Sequence, residues 1–159
     1  MDVIEVIKNR KISKGPDGRA FKLSKKTSLE AIQKVEKEFG FSLPPLLKAI
    51  YCNAGNGGFG PGYGVMGVPG GLTDDQGSNI LSLYKSYCEP DPYDPSWQWQ
   101  EGLVPICHLG CVIYTCVNCL EPSYPVYSAD IGVIDEDSPL EANLILVSES
   151  FDSWVESWI

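Results

Sequence analysis

The chain has 159 residues, 43% of them hydrophobic, which suits one domain spanning 1–159 whose core needs no metal or disulfide. The formal net charge of −9 is uneven: residues 1–48 hold 11 of the 12 Lys/Arg against 6 acids, a balance of +5, while residues 49–159 hold Lys85 alone against 15 acids, a balance of −14. So acidic a region repels nucleic acid and anionic lipid and attracts a basic partner.

Residues 1–26 form a basic, weakly hydrophobic segment, parts of which are expected to be mobile. Val3, Ile4 and Ile7 have the spacing of a short amphipathic helix, and Gly15-Pro16-Asp17-Gly18 signals a turn. Met1–Lys8 lacks the apolar run of a secretory signal, and no stretch reaches the roughly 20 apolar residues of a membrane span. The 6 cysteines are therefore expected as thiols, in the cytoplasm.

Residues 28–54 read as two helices. Thr27-Ser28-Leu29-Glu30 fits a capping box. Leu29, Ile32, Val35 and Phe39 share one face, and Gly40 is placed to stop the helix in a left-handed conformation. Ser42-Leu43-Pro44-Pro45 starts the second helix, with Leu46, Leu47, Ile50 and Tyr51 as its apolar face.

Residues 55–147 read as β-rich, with strands expected near 64–68, 80–84, 103–107, 111–119, 124–129 and 143–147. The insertion Glu89–Glu101 contains Pro90, Pro92 and Pro95 and cannot be a central strand. Ser150 caps a closing helix. Its stripe of Phe151, Trp154, Val155, Trp158 and Ile159 should dock on the sheet, with Asp152 at the positive end of the helix dipole. Helices at both ends of a β-rich middle give an α+β fold.

The catalytic motifs fail on context. Gly55-Asn-Gly57-Gly-Phe-Gly60 and Gly62-Tyr-Gly64-Val-Met-Gly67 match the dinucleotide fingerprint. That fingerprint needs a strand before the glycines and a helix after them; here a helix precedes and Pro61 and Pro69 interrupt. The glycines read as tight turns, and no cofactor is expected. Cys107, Cys111, Cys116 and Cys119, with His108 beside them, invite a zinc reading. The set has a single C-x-x-C, and a strand over 111–119 would put Cys116 on the face opposite Cys111 and Cys119. Buried thiols acting as small hydrophobes fit better, and no metal is expected. With one histidine and no nucleophile elbow, catalytic residues are not expected either. The cysteine–histidine cluster is the sole support for a zinc-dependent or hydrolytic enzyme.

A binding surface fits better. Asp91, Tyr93, Asp94, Trp97 and Trp99 combine acids with aromatic anchors in an irregular loop, although one of the two tryptophans is expected to tuck into the core. Asp74, Asp75, Asp135, Glu136 and Asp137 are further candidates for contact with a basic partner.

Residues 29–58 carry a family pattern: a helix, then Gly-x-x-Leu-Pro, a second helix and an Asn-Gly-Gly turn. Its landmarks are Glu36, Gly40, Leu43, Pro44, Tyr51, Asn56, Gly57 and Gly58. Looser matches follow at Leu103-Val-Pro-Ile106 with Gly110, at Pro125-Val-Tyr127 and at Ser150-Phe-Asp-Ser-Trp154. Over residues 28–159 the chain resembles the SUKH (Smi/Knr-like) family. The resemblance implies a largely antiparallel sheet flanked by two N-terminal helices and one C-terminal helix. It also implies a protein-binding domain without catalytic residues. In bacteria such domains are commonly immunity proteins against toxins, many of them nucleases. In fungi a similar domain occurs in a regulator of cell-wall synthesis, so a regulatory or scaffolding role is the alternative.

Overall fold

A computed structural model describes residues 2–10 and 21–159. The turn expected at 15–18 lies outside the described residues. The elements run α1 (Val3–Asn9), α2 (Leu29–Phe39), α3 (Pro45–Asn53), α4 (Ile80–Cys88), β1 (Leu103–Gly110), β2 (Ile113–Asn118), β3 (Val126–Asp130), a 3-10 turn (Ile131–Val133), α5 (Leu140–Asn143), β4 (Leu144–Ser148) and α6 (Phe151–Trp158). The strands form one antiparallel sheet in the order β1-β2-β3-β4. The fold is α+β, as expected. Among the described residues, no helix is long and apolar enough to cross a membrane.

The helix ends follow local chemistry. Ser28 caps α2 by accepting from the Ala31 amide, so Glu30 falls one residue short of closing the expected box and serves as a first-turn acid. Gly40 ends α2 at φ 84°. Ile32, Val35 and Phe39 are buried, but Leu29, expected beside them, is 54% exposed because it sits in the first turn, beyond the packed stretch. Ser150 caps α6, whose Phe151, Trp154, Val155 and Trp158 are buried. α1 forms where the apolar spacing places it, with Ile7 fully buried.

Two expected strands are corrected. Residues 80–84 belong to α4. Asn79 and Ser82 form a reciprocal capping box there, and Ile80, Leu81, Leu83 and Tyr84 bury one helical face. The apolar run was compatible with either period, and the cap decides it. Residues 64–68 make a single bridge, Val65 to Cys107, and Gly64, at φ 95°, closes a turn by donating its amide to Pro61 O. The strand expected over 111–119 is confined to β2, so Cys111 and Cys119 lie outside it. Cys111 and Val112 instead form the tip of the β1–β2 hairpin, at φ 51° and 57°. β3 starts late, after Tyr124 at φ 54° and the amide-less Pro125.

The family landmarks tie the helices to the turns. Glu36 accepts from the Leu43 amide at 2.7 Å and from Lys48 Nζ at 3.2 Å, joining α2 to α3. Buried Tyr51 donates its hydroxyl to Met66 O at 2.5 Å. Asn56 accepts from the Val68 amide at 3.0 Å and donates to Val68 O at 3.2 Å. Gly58, at φ 93°, meets the chain so closely that a Cβ there would sit 2.0 Å from Lys22 O.

Candidate functional site

α4 runs along β1 and delivers Tyr87 to the start of the 89–101 loop. The loop folds back over that helix end. Trp97 donates its indole N–H to Tyr87 O at 2.8 Å, and Trp99 donates to Leu103 O at 2.7 Å. The two indoles stack at 6.1 Å, and Tyr87 packs on both, at 5.9 and 4.8 Å. Both tryptophans are half-buried, and of the two it is Trp99 that packs against the core. Tyr93 projects fully, at 96% exposure.

An open groove of about 530 Å³ results, walled by Tyr87, Tyr93, Trp97, Ile131 and Ile134 and rimmed by Glu89, Asp91 and Asp94. A smaller hollow of about 60 Å³ adjoins it, sharing Asp94, Trp97 and Ile134 and adding Asp135 and Glu141. The two are lined by five acids and no base. Asp91, Asp94 and Asp135 each turn one oxygen inward, accepting from the amides of Tyr93, Ser96 and Asp137 at 2.8–3.0 Å. Those bonds fix the loops and orient the carboxylates.

Asp91, Tyr93, Asp94 and Trp97 thus come together in one groove, Trp99 braces it from behind, and Asp135 lies next door. Asp74 sits apart: its Oδ2 accepts from Tyr114 OH at 3.0 Å, and Tyr114 touches Tyr87 ring to ring at 6.4 Å. Asp75, Glu136 and Asp137 are exposed and line neither hollow. Burial, then the nearby Cys116 and Asp74, push the Tyr87 phenol up to about 12. Burial likewise raises Tyr114. Both phenols are therefore hydrogen-bond donors at neutral pH.

Sequence reasoning missed Tyr87, Glu89, Ile131, Ile134 and Glu141. Tyr87 was legible in principle, since Ile80, Leu83, Tyr84 and Tyr87 follow helical spacing, but a strand reading ends that segment too early. The isoleucines come from a segment distant in sequence, and only the folded sheet brings them in.

The cysteines do not converge. Cys111 is exposed at the hairpin tip, and Cys107, Cys116 and Cys119 are buried. Burial pushes the Cys107 and Cys119 thiols up to about 12 and raises Cys116 as well. Among the described residues, no group of three or more His, Cys, Asp or Glu could hold a metal ion. His108 is stacked between Tyr63 and Tyr114, at 5.2 and 4.9 Å.

A family model, that of the SMI1 / KNR4 family (SUKH-1), matches residues 26–157. The chain belongs to this family. No match was found among curated proteins. The SUKH-1 match takes in α2 through all but the last residue of α6, the groove and all eight landmarks, and leaves α1 outside.

Proposed function

We propose that this SUKH-1 domain is a non-catalytic, cytoplasmic protein-binding domain that neutralises a bacterial toxin by occupying a basic surface of it. The observation that carries the reading is the groove: three aromatic walls, an acidic rim and no base. A lysine or arginine entering it gains a carboxylate partner and an aromatic face together. A toxin that cleaves nucleic acid presents such a basic surface, and an acidic inhibitor reaches it quickly through electrostatic steering. Family membership supports the reading independently of charge.

The test is co-expression with the product of the neighbouring gene. That product should be toxic alone and harmless beside this protein. Asp91→Asn combined with Asp94→Asn should restore toxicity in part. A product that is not toxic, or that stays toxic beside the unaltered protein, sinks the reading and leaves a regulatory role as the better one.

A further inference from the structure

The two edges of the sheet are built differently. Outside β1, the amide of Tyr63 donates to His108 O at 3.0 Å and that of Met66 to Ile106 O at 2.7 Å, while Val65 bridges to Cys107. That edge is covered. β4 ends the sheet on the other side, and among the described residues no strand lies beyond it. Its Ile145, Leu146 and Val147 are 67%, 52% and 50% exposed. Sheet edges are guarded by Lys, Pro, inward charges, shortness or bulges, and the 5-residue Leu-Ile-Leu-Val-Ser has no charge and no proline to turn a strand away. Its one irregularity is a register shift that leaves Val147 without a partner on β3. The outward backbone donors and acceptors of an edge strand, beside exposed apolar side chains, are what an added strand pairs with.

Charge and area select the occupant. Exposed Glu141 and Glu149 flank β4, and the Glu141 end opens onto the acidic hollow holding Asp94 and Asp135. Beyond residue 48 the single base, Lys85, is paired with Glu38 at 2.6 Å. A second copy would bring the same acids to the contact and a net charge of −9. Pairing two strands of 5 residues also falls short of the roughly 1,200 Å² that stable interfaces bury. A basic partner has neither difficulty, since it can engage the edge and the groove together. We propose that β4 is a docking edge that accepts an extended apolar segment, flanked by Lys or Arg, from a partner protein. The segment becomes the fifth strand of the sheet. The proposal takes only the sign of the partner's charge from the toxin reading.

The test uses the full chain and a synthetic peptide, Lys-Lys-Val-Thr-Val-Thr-Val-Lys-Lys, followed by amide hydrogen exchange. The peptide should slow exchange in 144–148 by about tenfold or more. Glu in place of the flanking Lys should weaken binding about tenfold, and N-methylation of alternate peptide amides should abolish it. Ile145→Lys with Val147→Lys changes exposed side chains only, and should remove peptide binding with the circular dichroism unchanged. Unaltered exchange at 144–148 under saturating peptide overturns the proposal, as does equal binding of the Glu-flanked peptide. So does protection of β4 that rises with protein concentration alone, which would make a second copy the occupant. The toxin test is separate: a protein that neutralises nothing could still bind the peptide, and the reverse.

Discussion

Gly40 and Gly58 both have a left-handed backbone, yet their surroundings differ. Around Gly40 nothing lies within 4 Å of a new Cβ, whereas at Gly58 the Cβ would overlap the Lys22 carbonyl. Gly40→Ala should cost only the conformational penalty, about 1 kcal/mol. Gly58→Ala adds a backbone clash and should cost about 3 kcal/mol or more, read by urea denaturation. The pattern of residues made both glycines legible as turns, but the approach of residue 22 is a tertiary fact that no local signal carries. The buried thiols give a second expectation. Cys107 and Cys119 stand at about 12 against 9.0 for a free thiol, with burial as the first cause. The folded chain holds these protons more tightly than the unfolded chain. The stabilisation is complete below pH 9 or so and is lost as pH rises from there toward 12. Each thiol contributes up to about 1.4 kcal/mol per pH unit. Denaturation midpoints under reducing conditions should fall between about pH 9 and pH 10.5, and Cys107→Ala should make that fall shallower. A midpoint independent of pH across this range would show that the thiols are not buried as described.

At the scale of the element, α2 and α6 were legible because caps and apolar spacing agreed. α4 was not, because a run of Ile, Leu and Leu suits either period and the deciding Asn79–Ser82 box spans only four residues. The β1–β2 hairpin shows a different limit. Its strands are apolar enough to see, but its two-residue tip carries none of the usual turn chemistry. Such tips favour Asn-Gly, since both residues need positive φ. Here Cys111 and Val112 take φ 51° and 57°, and a β-branched residue is disfavoured in that region. Cys111→Asn with Val112→Gly should therefore stabilise the fold by about 1–2 kcal/mol, visible as a higher melting temperature. Both side chains are exposed, so little packing is lost in exchange. A lower melting temperature would mean that the Cys111 and Val112 side chains do more for the hairpin than their backbone costs.

At the scale of the whole molecule, charge and chain order act together. The basic segment precedes the family match, yet α1 buries Ile7 in the common core, and Lys22 and Ser24 bond to Gly58 and Gly57. The sequence showed where the acids are without showing which of them meet. Folding selects Glu89, Asp91, Asp94, Asp135 and Glu141 from three separate stretches and leaves Asp75, Glu136 and Asp137 outside. That selection can be measured without knowing the partner. Oligo-arginine should quench tryptophan fluorescence, because Trp97 forms a wall of the groove and is half-buried. The affinity should fall about tenfold when salt is raised from roughly 20 to 200 mM, since the rim carboxylates are open to solvent and their attraction is screened. Asp91→Asn with Asp94→Asn should weaken binding and flatten its salt dependence, while Asp75→Asn with Asp137→Asn removes the same charge away from the groove and should leave both nearly unchanged. Equal effects from the two pairs would mean that the peptide feels only the net charge, and that the groove confers no selectivity of its own.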